Sequence, residues 1–151
     1  MLKKKIKGNN IYYKLATIND SKQYFDWVND KSVRGISKKK KKIFYFNHLK
    51  WFKKKIKNKN SLLLIFKLKK KPVGQVRVDY IAKKLLLTYS IDKMYRGKGY
   101  GKKILKIAEN RVKKKFKLKS IFAKVVKDNI ASIKIFESLY YECYYRKEFY
   151  Y

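Results

Sequence analysis

The chain has 151 residues, 46% of them hydrophobic, which is enough for one ordinary domain with a core that needs no metal or disulfide staples. Its lone cysteine, Cys143, excludes an internal disulfide framework and a thiolate metal cluster, and its longest apolar runs, such as Leu62 to Phe66, are too short to span a bilayer. The formal net charge of +33 raises the question of a polyanionic partner.

Met1 to Asn10 is basic but carries no apolar stretch of secretory length, so a cytoplasmic location is expected. Ile11 to Ala16 reads as a first strand, and Asp20 or Ser21 caps a helix carrying Tyr24, Phe25, Trp27 and Val28. Ser32-Val33-Arg34-Gly35 and the lysine run Lys38 to Lys42 read as a solvated loop. A second helix, from about Asn47 to Lys57, sets His48, Trp51, Phe52 and Ile56 at helical spacing and ends at Asn58 to Asn60. Ser61 to Leu68 is a short apolar strand, and the turn Lys69-Lys70-Lys71-Pro72 leads into a third strand, Val73 to Tyr80. In that strand Val76 and Val78 face one way. Gln75, Arg77 and Asp79 face the other, as a polar row that a half-exposed antiparallel strand presents to a substrate.

Leu85 to Asp92 forms a fourth strand. From Tyr100 to about Lys117 the ladder Ile104, Ala108, Val112, Phe116, widened by Leu105, marks a core-packed helix. Ser120 to Val126 is a fifth strand, Asp128 or Asn129 caps a helix with Ile130, Ile133, Ile135, Phe136 and Leu139, and Cys143 to Tyr151 is a last strand. This order predicts one α+β domain over 1–151, with a mixed central sheet of about six strands flanked by about four helices and no repeats or linkers.

Three of the six glycines lie in Tyr95-Arg96-Gly97-Lys98-Gly99-Tyr100-Gly101, between a strand and a helix. Glycines there let successive N–H groups point at one anion beside the positive end of the helix. A dinucleotide fingerprint would need glycine where Lys102 stands, and a P-loop would need glycine at Arg96 and Ser or Thr at Lys103. What remains, Arg96-x-x-Gly99-x-Gly101, resembles the pyrophosphate-binding motif of the GCN5-related N-acetyltransferases (GNAT). The resemblance extends to Tyr89-Ser90-Ile91-Asp92 before the turn and to Val125-x-x-x-Asn129-x-x-Ser132-x-x-x-Phe136-Glu137 after it, together about half of the chain.

The resemblance implies acetyl-CoA as cofactor, with an acceptor-selecting half over about 1–80 and a cofactor-binding half over about 81–151. It implies that N–H groups around Gly97 to Lys102 hold the CoA pyrophosphate and that Lys98, Lys102 or Lys103 neutralises phosphate charge. It also implies that the strand end at Tyr89, Ser90 and Ile91 pairs with pantetheine and offers an N–H to the thioester oxygen, and that Asn129 and Ser132 touch the pantetheine arm or the adenosine side. Asn129 also suits a plain helix cap. In many relatives a tyrosine seven residues after the asparagine protonates the departing thiolate. Here that position is Phe136, and Tyr140 stands where a glycine is usual, so Tyr140 or another tyrosine takes the role or the thiolate leaves without an acid.

For the acceptor, Trp27-x-Asn29 with Arg34, His48-x-x-Trp51-Phe52 and Gly74-Gln75-Val76-Arg77-Val78-Asp79 are similar to acetyltransferases acting on the 4-amino group of UDP-linked amino sugars, as in the pseudaminic acid pathway. Such a substrate brings phosphates for Arg34, Arg77 or lysines and a uracil for aromatic stacking. His48, the single histidine, suits a base, a substrate ligand or a packed helix-face residue. Asp79 suits orienting substrate, accepting a proton or pairing with a lysine. Trp27, Trp51 and Phe52 suit core or pocket. A protein N-terminus, as in the ribosomal-protein acetyltransferases, is the rival acceptor. A homodimer is compatible with either reading.

A nucleic-acid module is the rival from another class, and a CoA-binding domain without turnover is a third reading. Only Arg34, Arg77, Arg96, Arg111 and Arg146 among the 43 basic residues are arginine, the preferred fork for specific phosphate and base recognition. The chain is also rich in Asn, Ile, Tyr and Phe, whose codons, like those of Lys, are A/T-rich. Base composition thus accounts for much of the charge, and no specific nucleic-acid partner is expected.

Overall fold

The computed structural model describes residues 4–5, 11–36, 41–117, 120–146 and 149–150. Six strands, β1 (Lys4–Lys5), β2 (Ile11–Leu15), β3 (Ser61–Leu68), β4 (Lys71–Ile81), β5 (Lys84–Ile91) and β6 (Ile121–Ala123), form one sheet in that spatial order. Every neighbouring pair is antiparallel except β5 and β6, which run parallel. Around the sheet lie α1 (Ser21–Val28), α2 (Lys31–Ile36), α3 (Tyr45–Lys57), α4 (Tyr100–Phe116) and α5 (Ile130–Ser138). None of the helices among the described residues is long and apolar enough to cross a membrane.

The continuous apolar run of β3 follows from its central place, because both of its faces are covered. Leu62, Leu64 and Phe66 join Val76, Val78, Leu85 and Leu87 in a core packed by Ile104, Leu105, Ala108 and Val112 of α4. Leu63 and Ile65 point the other way, into a second cluster with Tyr24 and Trp27 of α1 and Phe52 of α3. On β4 the pattern changes to alternation, since Val76 and Val78 are buried under α4 while Gln75 and Arg77 are half-buried on the opposite face. On that half-covered face a cleft opens between the strands and the helices α1 and α3.

The connections β3–β4 and β4–β5 are two-residue turns with positive φ at Lys69 (46°) and Lys70 (75°), and at Ala82 (48°) and Lys83 (61°). Left-handed backbone at both turn positions matches the right-handed strand twist of a tight hairpin, even without glycine.

Four expectations need correction. Residues 32–35 are helical rather than a loop: Asp30 accepts the backbone N–H of Ser32 at 3.0 Å, capping α2 and bringing the helices to five. α3 begins at Tyr45, ahead of Asn47. The fifth strand breaks at Lys124 into β6 and β7 (Val125–Val126), because pairing with β5 stops at Leu87↔Ala123. The last strand is a hairpin of β8 (Tyr145–Arg146) and β9 (Phe149–Tyr150), which joins β7 in a separate three-stranded sheet ordered β7-β9-β8. The short strand β1 had no sequence signal. Lys38 to Lys40 of the lysine run, and residues 147, 148 and 151 of the final strand, lie outside the described residues.

Candidate active site

β5 is paired with β4 from Lys84 to Ile91, but with β6 only at Leu85, Leu86 and Leu87. From Thr88 to Ile91 its other edge diverges from β6, leaving a strand edge that an extended ligand can pair with. Directly after it, Asp92 accepts the N–H of Met94 at 3.0 Å and caps a short 3-10 turn, Lys93–Tyr95.

The glycine turn follows. Gly97 (φ +68°) and Gly99 (φ +76°) hold left-handed backbone, and Gly99 is the N-cap of α4. A Cβ at either would meet nothing within 4 Å, so backbone conformation, not crowding, selects glycine there. The first N–H groups of α4 lack intrahelical acceptors and face outward at the positive helix end, as an anion cradle requires. Gly101 differs, because a Cβ there would lie 2.7 Å from Ile135 Cδ1, so it lets α5 pack on α4. These features, an open strand edge leading into a left-handed glycine turn, fit an elongated ligand that carries a pyrophosphate.

On the opposite side of the sheet, α1, α2, α3, β4 and β5 wall a cleft of about 500 Å³. Arg34 reaches it from α2, His48 and Trp51 from α3, Gln75 and Arg77 from β4, and Ser90 from β5. Arg77 is held on two sides: its guanidinium carbon lies 5.2 Å from the Trp51 ring centroid, and its Nε lies 3.0 Å from Asp79 Oδ2. The latter is a contact of charge rather than an aligned hydrogen bond, since Nε–H finds no acceptor in line. Gln75 donates from Nε2 to Ser90 Oγ at 3.1 Å, while its buried Oε1 has no partner among the described residues.

His48 is 4% exposed, and its Nε2 lies 3.0 Å from the carbonyl of Ser21. A carbonyl only accepts, so Nε2 carries the proton and Nδ1 the lone pair. Burial pulls the imidazole pKa down, against a smaller upward pull from that hydrogen bond.

Of the residues singled out from sequence, Arg34, His48, Trp51, Arg77 and Ser90 come together around the cleft, which Tyr89 also borders from β5. Phe52 does not: it is fully buried in the cluster with Tyr24 and Trp27 and acts as core. Asp79 is also withdrawn, because its Oδ1 accepts from Lys55 Nζ and from Ser61 Oγ, each at 2.7 Å, and its Oδ2 faces Arg77. Burial pushes the Asp79 carboxyl up, but these partners outweigh it and hold it below the usual carboxylate value. Such a carboxylate supports Arg77 and is a poor proton acceptor. Tyr140 stands just past α5 at φ +62°, 94% exposed and outside the cleft lining.

On the glycine-turn side, Ile91 is buried, Lys102 is exposed and Tyr100 packs edge-on against Tyr95. Lys98 Nζ donates to the Met94 carbonyl at 2.9 Å. Arg96 donates from Nε to the Ile91 carbonyl at 2.9 Å and from Nη1 to Ser32 Oγ at 2.6 Å. Asn129 Oδ1 accepts the Ser132 N–H at 3.2 Å as a helix cap. Ser132 Oγ lies 2.8 Å from the Tyr89 hydroxyl. By register the Tyr89 side chain leaves β5 on the α4 and α5 face, where its ring meets Phe136 edge-on at 5.8 Å.

Gln75 stood on the predicted polar row, two residues before Arg77, but was given no role of its own there. Trp27 to Asp92 and Ser32 to Arg96 were beyond reach, since each joins residues more than sixty positions apart.

The sequence profile of the acetyltransferase (GNAT) domain matches residues 11–141. No curated protein sequence matches the chain. The fold is similar to a domain from Methanocaldococcus jannaschii at 21% identity and TM-score 0.81, over 93% of this chain and 94% of that one. It is similar to spermidine N-acetyltransferase from Vibrio cholerae, solved with CoA and spermine, at 13% identity and TM-score 0.78, over 90% and 83%. It is also similar to ribosomal-protein-S5-alanine acetyltransferase from Vibrio fischeri at 17% identity and TM-score 0.76, over 95% and 84%. With its profile match spanning both the open strand edge and the glycine turn, the chain belongs to the acetyltransferase (GNAT) domain family.

Proposed function

We propose that the acceptor is an amine carrying phosphate, the 4-amino group of a UDP-linked amino sugar, seated in the cleft between α1, α2, α3 and the β4–β5 face. Family membership makes the chain an acetyl-CoA-dependent N-acetyltransferase. The observation that carries the acceptor reading is the charge of the cleft: it is lined by Arg34 and Arg77 with Trp51 beside them, and no carboxylate lines it among the described residues. An arginine fork and an aromatic face suit phosphates and a base. A polycationic acceptor would meet repulsion there.

Cofactor and acceptor sides divide along the chain near residue 80, although Thr88 and Ser90 of the later half also wall the cleft. N–H groups from Gly97 to Lys102 would hold the pyrophosphate, with charge from Lys98 and Lys102. The open edge from Tyr89 to Ile91 would pair with the pantetheine amides and aim an N–H at the thioester oxygen. Asn129 spends its Oδ1 on the cap and keeps its amide N–H groups for the pantetheine arm. Bound there, acetyl-CoA supplies an activated acyl carbonyl and a thiolate leaving group.

The chain's own residues do the rest. His48, neutral through burial and pinned by Ser21, offers Nδ1 to the acceptor's amine proton. Gln75 Oε1, buried and unpartnered, would accept from the acceptor and orient it. For the proton needed by the departing sulfur, of the two tyrosines that line the cleft Tyr24 is spent on the Leu64 carbonyl at 3.0 Å, which leaves Tyr89, paired with Ser132 at 2.8 Å, as the donor. Either hydroxyl of that pair can donate, so it can pass a proton and be refilled through Ser132.

A panel of UDP-4-amino sugars, N-terminal peptides and polyamines, read by CoA thiol release, tests this. Turnover is expected with the nucleotide sugars. Transfer to peptides alone would sink the sugar reading in favour of the ribosomal-protein type, and binding of acetyl-CoA without turnover of any acceptor would identify a CoA-binding domain without activity.

A further inference from the structure

The cleft and the glycine turn lie on different parts of the fold, yet two side-chain bridges tie them. Trp27 of α1 donates from Nε1 to Asp92 Oδ2 at 2.9 Å, while Asp92 Oδ1 holds the N–H of Met94 at the start of the turn. Arg96, the first residue of the glycine motif, donates through Nη1 to Ser32 Oγ at 2.6 Å and lies 3.4 Å from Asp30 Oδ1. Ser32 in turn bonds to the same carboxylate oxygen through its hydroxyl and its N–H. The Ser32 hydrogen bond, together with the charge of Arg96, holds the Asp30 carboxyl below its usual value.

These contacts have a consequence for α2. Asp30 caps it, Ser32 lies in its first turn, and Val33 and Arg34 on the same short helix wall the cleft. Just ahead of the helix, Asn29 exchanges two hydrogen bonds with Ile43, each 2.9 Å. A helix of six residues makes little core contact of its own, and none of its residues is buried. These ties, with the Arg34 Nη1 contact to the Lys41 carbonyl at 3.5 Å, help to hold it in place.

We propose that Arg96 is a positioning residue that fixes the α2 wall of the acceptor cleft to the pyrophosphate turn. Its guanidinium is turned toward α2 and the Ile91 carbonyl, and it acts on the ligand-holding N–H groups through the backbone they share. Seating of phosphates on the turn holds Arg96 in place, Arg96 holds Ser32 and Asp30, and α2 then presents Arg34 to the acceptor. Occupancy of the turn and of the cleft are coupled, and the coupling is reciprocal. This inference rests on the assignment of the glycine turn to the cofactor.

Hydrogen–deuterium exchange on the full chain, with and without acetyl-CoA, tests it in the wild type, Arg96→Ala, Arg96→Lys and Ser32→Ala. Without cofactor, Ser32→Ala and Arg96→Ala are expected to speed exchange at residues 31–36 roughly tenfold, the size of a lost charge-assisted hydrogen bond. Acetyl-CoA is expected to slow exchange at 31–36 in the wild type and not in Ser32→Ala, although Ser32 lies outside the glycine turn. Arg96→Lys, which keeps the charge without the fork, is expected to fall between the two. Wild-type exchange at 31–36 in both variants would overturn the bridge. Protection of the turn at 95–102 by acetyl-CoA with none at 31–36 would overturn the coupling and leave the cofactor assignment intact. Protection of neither segment would overturn the cofactor assignment itself, while the cofactor-free comparison still reports on the bridge.

Discussion

The guanidinium of Arg77 lies over the ring of Trp51, 5.2 Å from its centroid, with Asp79 behind it at 3.0 Å. The arginine is thereby oriented before any ligand arrives, and it lines the cleft. Preorganised forks of this kind lose little side-chain entropy on binding. Arg77→Met is expected to raise the acceptor KM about 10-fold to 100-fold, the range for losing charge-assisted hydrogen bonds, while the KM for acetyl-CoA stays unchanged. Steady-state kinetics with each substrate varied in turn checks this, and equal effects on both would contradict an acceptor role.

Much of this arrangement was legible in sequence because it is local. The alternation Gln75, Val76, Arg77, Val78, Asp79 fixes which side chains share a face, and the buried valines opposite half-buried Gln75 and Arg77 agree with it, while Asp79 on the polar side is itself buried. The ladder Ile104, Ala108, Val112 fixed the buried stripe of α4 in the same way. Partner choice was not legible. Asp79 turned out to be surrounded by Lys55 and Ser61, and Phe52 to be core, because each outcome depends on how α3 crosses β3. The helix at 31–36 was missed because Ser32, Val33 and Gly35 are poor helix formers and its cap, Asp30, draws support from Arg96 across the fold.

His48 gives a prediction about pH. Its folded pKa is lowered by burial, whereas the unfolded chain titrates near ~6.5. Between those values the unfolded state binds the proton and the folded state does not, so this contribution to stability is complete above ~6.5 and is lost as pH falls through the folded pKa. His48→Gln is expected to flatten the change in Tm between about pH 7.5 and 5.5. Asp30 and Asp79, whose values are also lowered, act in a separate window below ~3.9. If His48 is also the base, the acid limb of kcat/KM disappears in the same variant and turnover falls roughly 100-fold or more. An acid limb that survives would assign it elsewhere.

Gly99 and Gly101 are two residues apart and should fail differently. Gly99→Ala places a side chain in open space at φ +76°, with conformational strain of about 1–2 kcal/mol. Relief of that strain turns the N–H groups away, so acetyl-CoA affinity is expected to drop at least about tenfold for a modest fall in Tm, and Gly99→Val should abolish binding. Gly101→Ala instead drives a methyl to 2.7 Å from Ile135 Cδ1, an overpacking of about 1–3 kcal/mol. Ile135→Val removes that very atom, so the double variant is expected to recover most of the Tm lost by Gly101→Ala. Calorimetry with acetyl-CoA and thermal melts on the same samples separate the two effects.

Tyr89 offers the sharpest test of how the thiolate is protonated. Phe136, where relatives carry the acid, cannot donate, but the Tyr89 ring packs against it edge-on and the Tyr89 hydroxyl reaches Ser132 on the preceding turn of α5. Burial raises the phenol pKa against a smaller downward pull from Ser132, so the hydroxyl keeps its proton across the working pH range. A donor of this kind matters only while the sulfur gains charge, so Tyr89→Phe should lower kcat and kcat/KM alike and leave the dissociation constant of acetyl-CoA unchanged. The expected loss is about 100-fold, the lower end for removal of a proton-transfer group. Ser132→Ala retains the phenol and should show a smaller loss. An acetyl thioester with a more acidic thiol needs less help in leaving, so the deficit of Tyr89→Phe should shrink with such a substrate. A deficit independent of the leaving thiol would mean that Tyr89 packs against α5 and that the sulfur departs unassisted.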